Sequence, residues 1–154
     1  MERTLVIIKP DAVNRALVGE ILHRFEGKGL KIIGMKMEHL TPYTLKQHYA
    51  HHQNKEFFEE LINYMSSIPS ILLVLEGKEV IIVVRKMIGG TLGREADPGT
   101  IRGDLSVSNQ ANLIHASSTP EEAREEIKRF FKEEELYNYN KMNFDWIYTK
   151  KEKE

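Results

Sequence analysis

The chain has 154 residues, enough for one domain with a buried core and too few to expect a second. Its 22 Lys and Arg balance 23 Asp and Glu to a net charge of -1, which excludes a global basic surface for nucleic acid or anionic membrane. It has no cysteine, so disulfides, thiolate metal sites and a thiol nucleophile are excluded together.

Met1-Glu2-Arg3 leads, with no signal-peptide pattern, into Leu5-Val6-Ile7-Ile8, a continuously apolar run that predicts a strand buried on both faces and stopped by Pro10. Val18, Ile21, Leu22 and Phe25 recur at helical spacing up to Gly27 and Gly29, predicting a helix of about three turns. Ile33, Met35 and Met37 alternate with Gly34, Lys36 and Glu38, the period of a strand with one face on the core. Thr41-Pro42 has the form of a helix N-cap and first turn, and Phe58, Leu61, Ile62 and Met65 mark another helical stripe ending before Pro69.

Ser70 to Leu75 predicts a second buried strand. The apolar runs at 71–75 and 80–84 are too short to span a bilayer, and a soluble cytoplasmic protein is expected. Val80 to Val84 is β-branched and reads locally as a strand, with Glu76 to Glu79 as its turn. From Lys86 to Ala111 the chain is weakly patterned and rich in glycine and polar residues, the signature of a binding loop. Thr119-Pro120-Glu121-Glu122 reads as a capping box opening a helix whose stripe is Ala123, Ile127, Phe130 and Phe131. Glu126 falls on that same inward face. An apolar patch around Trp146 and a run of charges close a tail at 140–154, and there are no internal repeats.

One histidine stands out. His115 ends the short apolar run Leu113-Ile114 just before a helix start, where backbone N–H groups and a helix dipole suit a phosphoryl group. Its plain alternative is a half-buried ring satisfied by a carbonyl. An inward carboxylate at Glu126 needs a partner and could fix the imidazole tautomer, freeing one nitrogen to attack. Arg85, Thr91 and Arg102, in or beside the long loop, could grip a polyphosphate, although each alone reads as a solvated surface residue. Lys9 at the strand end could bind a sugar hydroxyl, with a structural turn capped by Asp11 as the alternative. Phe57 could stack on a base or pack in the core. His48, Tyr49, His51 and His52 at helical spacing make a weak metal pattern and read better as a solvated or phosphate-facing helix end.

Lys9-Pro10-Asp11-Ala12-Val13, Gly99-Thr100-Ile101-Arg102-Gly103-Asp104 and Asn112-Leu113-Ile114-His115-Ala116-Ser117 together resemble, in order and spacing, the nucleoside diphosphate kinase family over nearly the whole chain. The resemblance implies a ping-pong enzyme in which His115 takes the γ-phosphoryl group of a nucleoside triphosphate and passes it to a nucleoside diphosphate, with Mg2+ carried by the nucleotide. By that pattern Lys9 and Asn112 contact the ribose and Phe57 stacks on the base. Tyr49, His52, Arg85, Thr91 and Arg102 lie along the phosphates, and Glu126 and Ser117 orient the histidine.

It also implies an α+β ferredoxin-like sandwich, a four-stranded antiparallel sheet covered by helices, in a single domain spanning 1–154. On that topology Val80 to Met87 becomes a helix against its local propensity, and Asn112 to His115 the fourth strand. A homohexamer is implied, with a tetramer as the alternative, and the Trp146-Ile147-Tyr148 tail is expected to pack on a neighbouring subunit. Four positions depart from the family pattern. Ala116 and Ser118 replace the usual glycine and aspartate, Ala16 a glycine, and Glu56 a proline. The loss of a negative charge at Ser118 bears on magnesium organisation and favours, as the competing class, a non-enzymatic nucleotide-binding module. A nucleic-acid binder lacks the basic, aromatic-laced stripe it would need.

Overall fold

The structure is a computed structural model and describes residues 1–153. Strand β1 (Glu2–Ile8) lies inside a four-stranded sheet of order β2-β3-β1-β4, every neighbour antiparallel. The other strands are β2 (Lys31–Glu38), β3 (Ser70–Gly77) and β4 (Ile114–Ala116). Leu5 pairs with Val74 and Ile7 with Leu72, while Ile7 also pairs with His115 on the other side. This is the expected ferredoxin-like sandwich.

Because successive strand residues point to opposite faces, the apolar run of β1 feeds two cores. Val6 and Ile8 join Ile21 and Phe25 of α2 (Val18–Gly27) and Val80, Val84 and Ile88 of α5 (Val80–Ile88). Leu5 and Ile7 join Leu45 of α3 (Pro42–His48), Ile62 and Met65 of α4 (Phe58–Met65), and Phe130 of α7 (Pro120–Phe130). Residues 80–88 are helical because only three-to-four spacing turns Val80, Ile81, Val84 and Ile88 onto one buried stripe, and that burial overrides β propensity.

The sequence reading of β2 needs a correction. Ile33 is buried, but Met35 and Met37 are 58% and 61% exposed. A bulge between Ile32 and Gly34 inserts one residue, so Ile33 and Met35 fall on opposite sides of the sheet. The bulge is covered by the segment after α7, where the Tyr137 N–H donates to Ile33 O at 2.7 Å. A Cβ on Gly34 would lie 2.8 Å from a Leu136 methyl, so a larger residue there would displace that side chain.

The fourth strand begins at Ile114 rather than Asn112, because Leu113 has φ +73° and cannot extend a strand. The weakly patterned stretch before it is less irregular than its composition suggests. It contains a 3-10 turn at Gly93–Glu95 and the short helix α6 (Ile101–Leu105), whose N-cap Thr100 accepts the Gly103 N–H at 3.0 Å. A further short helix, α1 (Pro10–Asn14), turns the chain directly after β1. Thr41 and Thr119 are N-caps as read. Glu122, however, reaches back to the Ser118 N–H at 3.0 Å, one residue before the cap.

The tail forms two single-turn helices, Phe144–Ile147 and Lys150–Lys153. Ile147 packs over Gly29 of its own chain and the Tyr148 hydroxyl accepts the Lys78 N–H at 3.1 Å, while Trp146 is 92% exposed.

Candidate active site

Three backbone events build the site. β1 ends at Lys9, whose N–H donates to Leu113 O at 2.9 Å and whose Nζ donates to Asn112 Oδ1 at 2.7 Å. Asn112 in turn donates through Nδ2 to Thr91 O at 2.8 Å, fixing the loop to the strand end. Leu113 then reverses the chain, and its N–H is held by Asp11 Oδ2 at 3.1 Å. Tyr64 donates its hydroxyl to the other oxygen of Asp11. From sequence Asp11 is expected only to cap a local turn. It does cap an N–H, but one a hundred residues away that the local sequence could not indicate.

β4 carries His115 onto the open edge of the sheet beside α7. His115 Nε2 is 3.0 Å from Glu126 Oε1, and Ser117 Oγ donates to Glu126 Oε2 at 2.6 Å. Ser117 Oγ also accepts the Leu5 N–H at 3.2 Å, so the backbone of β1 locks the serine that locks the carboxylate. Burial raises the proton affinity of Glu126, but the hydrogen bonds from His115 and Ser117 outweigh it and hold the carboxyl below its ordinary pKa. An ionised Glu126 accepts the Nε2 proton and fixes the tautomer with a lone pair on Nδ1.

His115 opens onto a cleft of about 950 Å³. Every site residue singled out from the sequence lines this cleft except Ser117, which lies buried behind Glu126. Phe57, 41% exposed, stands at its mouth with Lys55 Nζ 5.5 Å from the ring centre. Tyr49 is buried, its hydroxyl without a partner among the described residues, and burial pushes its pKa well up. His52 stacks at 6.3 Å on Tyr49, and burial lowers its pKa.

Lys9 is shifted down to about 8, chiefly by burial and then by the Arg102 charge, with Asp11 partly offsetting. Arg102 is lowered to about 10 by burial and by Arg85. It braces the site, donating to Asn112 O at 3.2 Å, Gly89 O at 3.1 Å and Ile114 O at 2.6 Å. Three of a guanidinium's five N–H groups are thus committed to backbone, and the remainder can meet an anion. Buried cations crowded in this way are stabilised by a multiply charged anion.

His48 is the residue whose place the sequence reading missed. It is buried edge-on against His115, with ring centres 4.7 Å apart, and its Nδ1 lies 3.7 Å from Glu126 Oε1. Burial, and then the charge of His115, lowers its pKa to about 3. Its position three residues before a half-turn of histidines gave no sign of this, since the contact exists only once α3 and α7 pack on the same face. The hydroxyl at Ser118 does not leave the cleft wall uncharged, because the Glu122 carboxylate bonds its backbone N–H.

An imidazole bonded to a buried carboxylate and facing a cradle of cations, on an antiparallel α+β sandwich, is the arrangement of a phosphotransferase. The nucleoside diphosphate kinase family model matches residues 2–136, and the chain belongs to that family. The nucleoside diphosphate kinase of Thermococcus kodakarensis is 52% identical over 151 residues, covering 96% of this chain and 86% of that relative. That of Archaeoglobus fulgidus is 47% identical, covering 98% and 100%. Among solved structures, a family member from Babesia bovis superposes with a TM-score of 0.92 at 44% identity, covering 96% of this chain and 100% of that one. The halophilic enzyme of Halobacterium salinarum in complex with CDP gives 0.93 at 40% identity, covering 96% and 98%.

Proposed function

We propose that this chain transfers the γ-phosphoryl group of a nucleoside triphosphate to a nucleoside diphosphate in two half-reactions through His115. The observation that carries the reading is the Ser117–Glu126–His115 relay, which keeps the proton on Nε2 and the lone pair on Nδ1 at the floor of a cationic cleft. In the first half-reaction an N–P bond forms at Nδ1 as the bond from phosphorus to the bridging oxygen breaks. The nucleoside diphosphate leaves with that electron pair, and Glu126 offsets the positive charge left on the ring. In the second, a terminal oxygen of another nucleoside diphosphate attacks the same phosphorus and His115 regains its lone pair.

Arg85, Arg102, Thr91, Tyr49 and His52 line the path of the phosphates and stabilise their charge, while Lys9 and Asn112 bind the ribose. Phe57 offers a stacking face without base-edge readout, which suits a range of bases. Both oxygens of Glu126 are engaged by His115 and Ser117, so Glu126 is not poised to join an oxygen shell around Mg2+. Such a donor set fits Mg2+ held by the nucleotide phosphates and its own waters, with Glu122 and Glu125 on the wall to accept from those waters. Bound in that way, Mg2+ neutralises charge on the phosphates.

Self-association into a homohexamer, with a tetramer as the alternative, is part of the same proposal. The edge strand β2 with its exposed Met35 and Met37, and the exposed Trp146, are the apolar surfaces that support it. A cytoplasmic location is supported by the absence of cysteine; no helix among the described residues is long and apolar enough to cross a membrane. Incubation with γ-labelled ATP tests the reaction. Acid-labile, alkali-stable label on the protein, absent from His115→Ala, is expected; a variant that still labels and turns over would overturn it.

A further inference from the structure

We infer that His48, His115 and Glu126 form an inhibitory site for a divalent transition-metal ion of the Zn2+ class, which silences the nucleophile without filling the nucleotide cleft. One nitrogen from each ring and a carboxylate oxygen lie within 4.8 Å of one another. The Glu126 oxygen is 3.0 Å from His115 Nε2 and 3.7 Å from His48 Nδ1. Ligands on a tetrahedral Zn2+ stand ~3.4 Å apart, given Zn–N bonds of about 2.05 Å, so the two spacings to Glu126 need a few tenths of an ångström of adjustment, while the two ring nitrogens, within 4.8 Å of each other, close by up to about 1.4 Å. Two imidazoles and a carboxylate, with the fourth position open, are a zinc ligand set and a poor one for Mg2+, which prefers oxygen and water.

His48 is the independent observation. Its side chain is 1% exposed, yet neither nitrogen is well bonded. Among the described residues Nε2 has no partner, and Nδ1 is too far from Glu126 for a hydrogen bond and at the 3.5 Å limit from Arg129 Nη1. Nδ1, held only by a contact at the hydrogen-bond limit, is the nitrogen that can take an ion beside Glu126, while Nε2 stays unpaired with or without it. Arg129, which lines the cleft, gives up its contact with Nδ1 when the ion binds.

The chemistry of inhibition follows from the tautomer and rests on the phosphohistidine reading above. Zn2+ takes the lone pair at His115 Nε2, and the proton that Nε2 held moves to Nδ1. The lone pair that would attack phosphorus is then a bond to hydrogen. Glu126 exchanges its hydrogen bond from His115 for the metal and stays oriented through Ser117 on Oε2. Nucleotide therefore still binds, but the phosphoenzyme does not form.

Calorimetric titration of ZnCl2 into the chelator-treated full chain, without nucleotide, tests this. One Zn2+ per chain at micromolar or tighter affinity is expected, weakened at least tenfold in His48→Phe and unchanged in His51→Asn, with millimolar Mg2+ failing to compete. No stoichiometric binding, equal affinity in His48→Phe, or loss in His51→Asn would overturn it. Should His48→Phe fail to fold, X-ray absorption on the wild-type zinc complex decides: two imidazoles on the metal support the site, and fewer sink it. Metal binding is read without phosphotransfer, so a missing phosphoenzyme and a missing metal site are separate results. With Zn2+ bound, CDP binding retained alongside suppressed labelling by ATP is the expected inhibition, and unchanged labelling refutes it.

Discussion

Asp11 Oδ2 accepts the backbone N–H of Leu113 at 3.1 Å, tying the first turn after β1 to the left-handed residue that aims β4 at the cleft. A leucine at φ +73° is strained by about 1–2 kcal/mol and persists only where its surroundings enforce it. Leu113 is fully buried and held at both its N–H and its C=O. Asp11→Ala therefore frees Leu113 and leaves Tyr64 without its acceptor. A stability loss of about 2–3 kcal/mol in urea unfolding is expected, together with a fall in kcat larger than any rise in KM.

Glu126→Gln keeps the shape of the relay and removes its charge. The amide can still accept from Nε2–H through its oxygen but no longer offsets the imidazolium that forms on phosphorylation. A drop in kcat of about 100-fold or more is expected from transient-state labelling, with the fold retained.

His48 makes the fold sensitive to acid. Its folded pKa of about 3 lies below the ordinary 6.5, so between those values the unfolded chain binds the extra proton and stability rises with pH. Stability should decline as pH falls from about 6.5 toward 3, with this residue contributing a slope of up to about 1.4 kcal/mol per pH unit. Glu126, depressed in the fold, adds a further loss only at the acid end, as pH drops below its unfolded value. Urea midpoints measured from pH 4 to 8 should show a flatter profile in His48→Gln than in the wild type.

Arg102→Lys preserves charge but cannot reproduce three directed bonds to Gly89, Asn112 and Ile114. Destabilisation of about 2–3 kcal/mol is expected by thermal or urea unfolding, because buried carbonyls lose a charged donor. Nucleotide affinity should fall with it.

Ala16 has φ +57° on the surface, a backbone conformation that favours glycine. Ala16→Gly relieves a left-handed alanine at the cost of a more flexible unfolded chain, and a net gain of about 0.5–1 kcal/mol is expected. A melting temperature unchanged or lowered by the substitution would show that the turn carries no strain.

Much of the fold was legible in local pattern. The run Leu5 to Ile8 announced a doubly buried strand, Thr41 and Thr119 announced helix starts, and Glu126 on the apolar stripe of its helix announced a carboxylate seeking a partner. Val80 to Val84 was not legible from propensity, since β-branched residues and a buried helical stripe compete and only packing decides between them. The bulge in β2 was equally hidden, because one inserted residue inverts every later side chain without altering the alternation in sequence.

What the sequence determined by itself was therefore the inventory: an imidazole before a helix, an inward carboxylate, a loop with arginines, and no thiol to compete with them. What only the tertiary structure decided was which groups meet. His48 shares the carboxylate of Glu126, Asp11 restrains Leu113, and Arg102 spends most of its donors on the backbone. The first two contacts join residues far apart in the chain and the third folds one loop onto itself, and both kinds depend on how helices and strands stack, which no local spacing encodes.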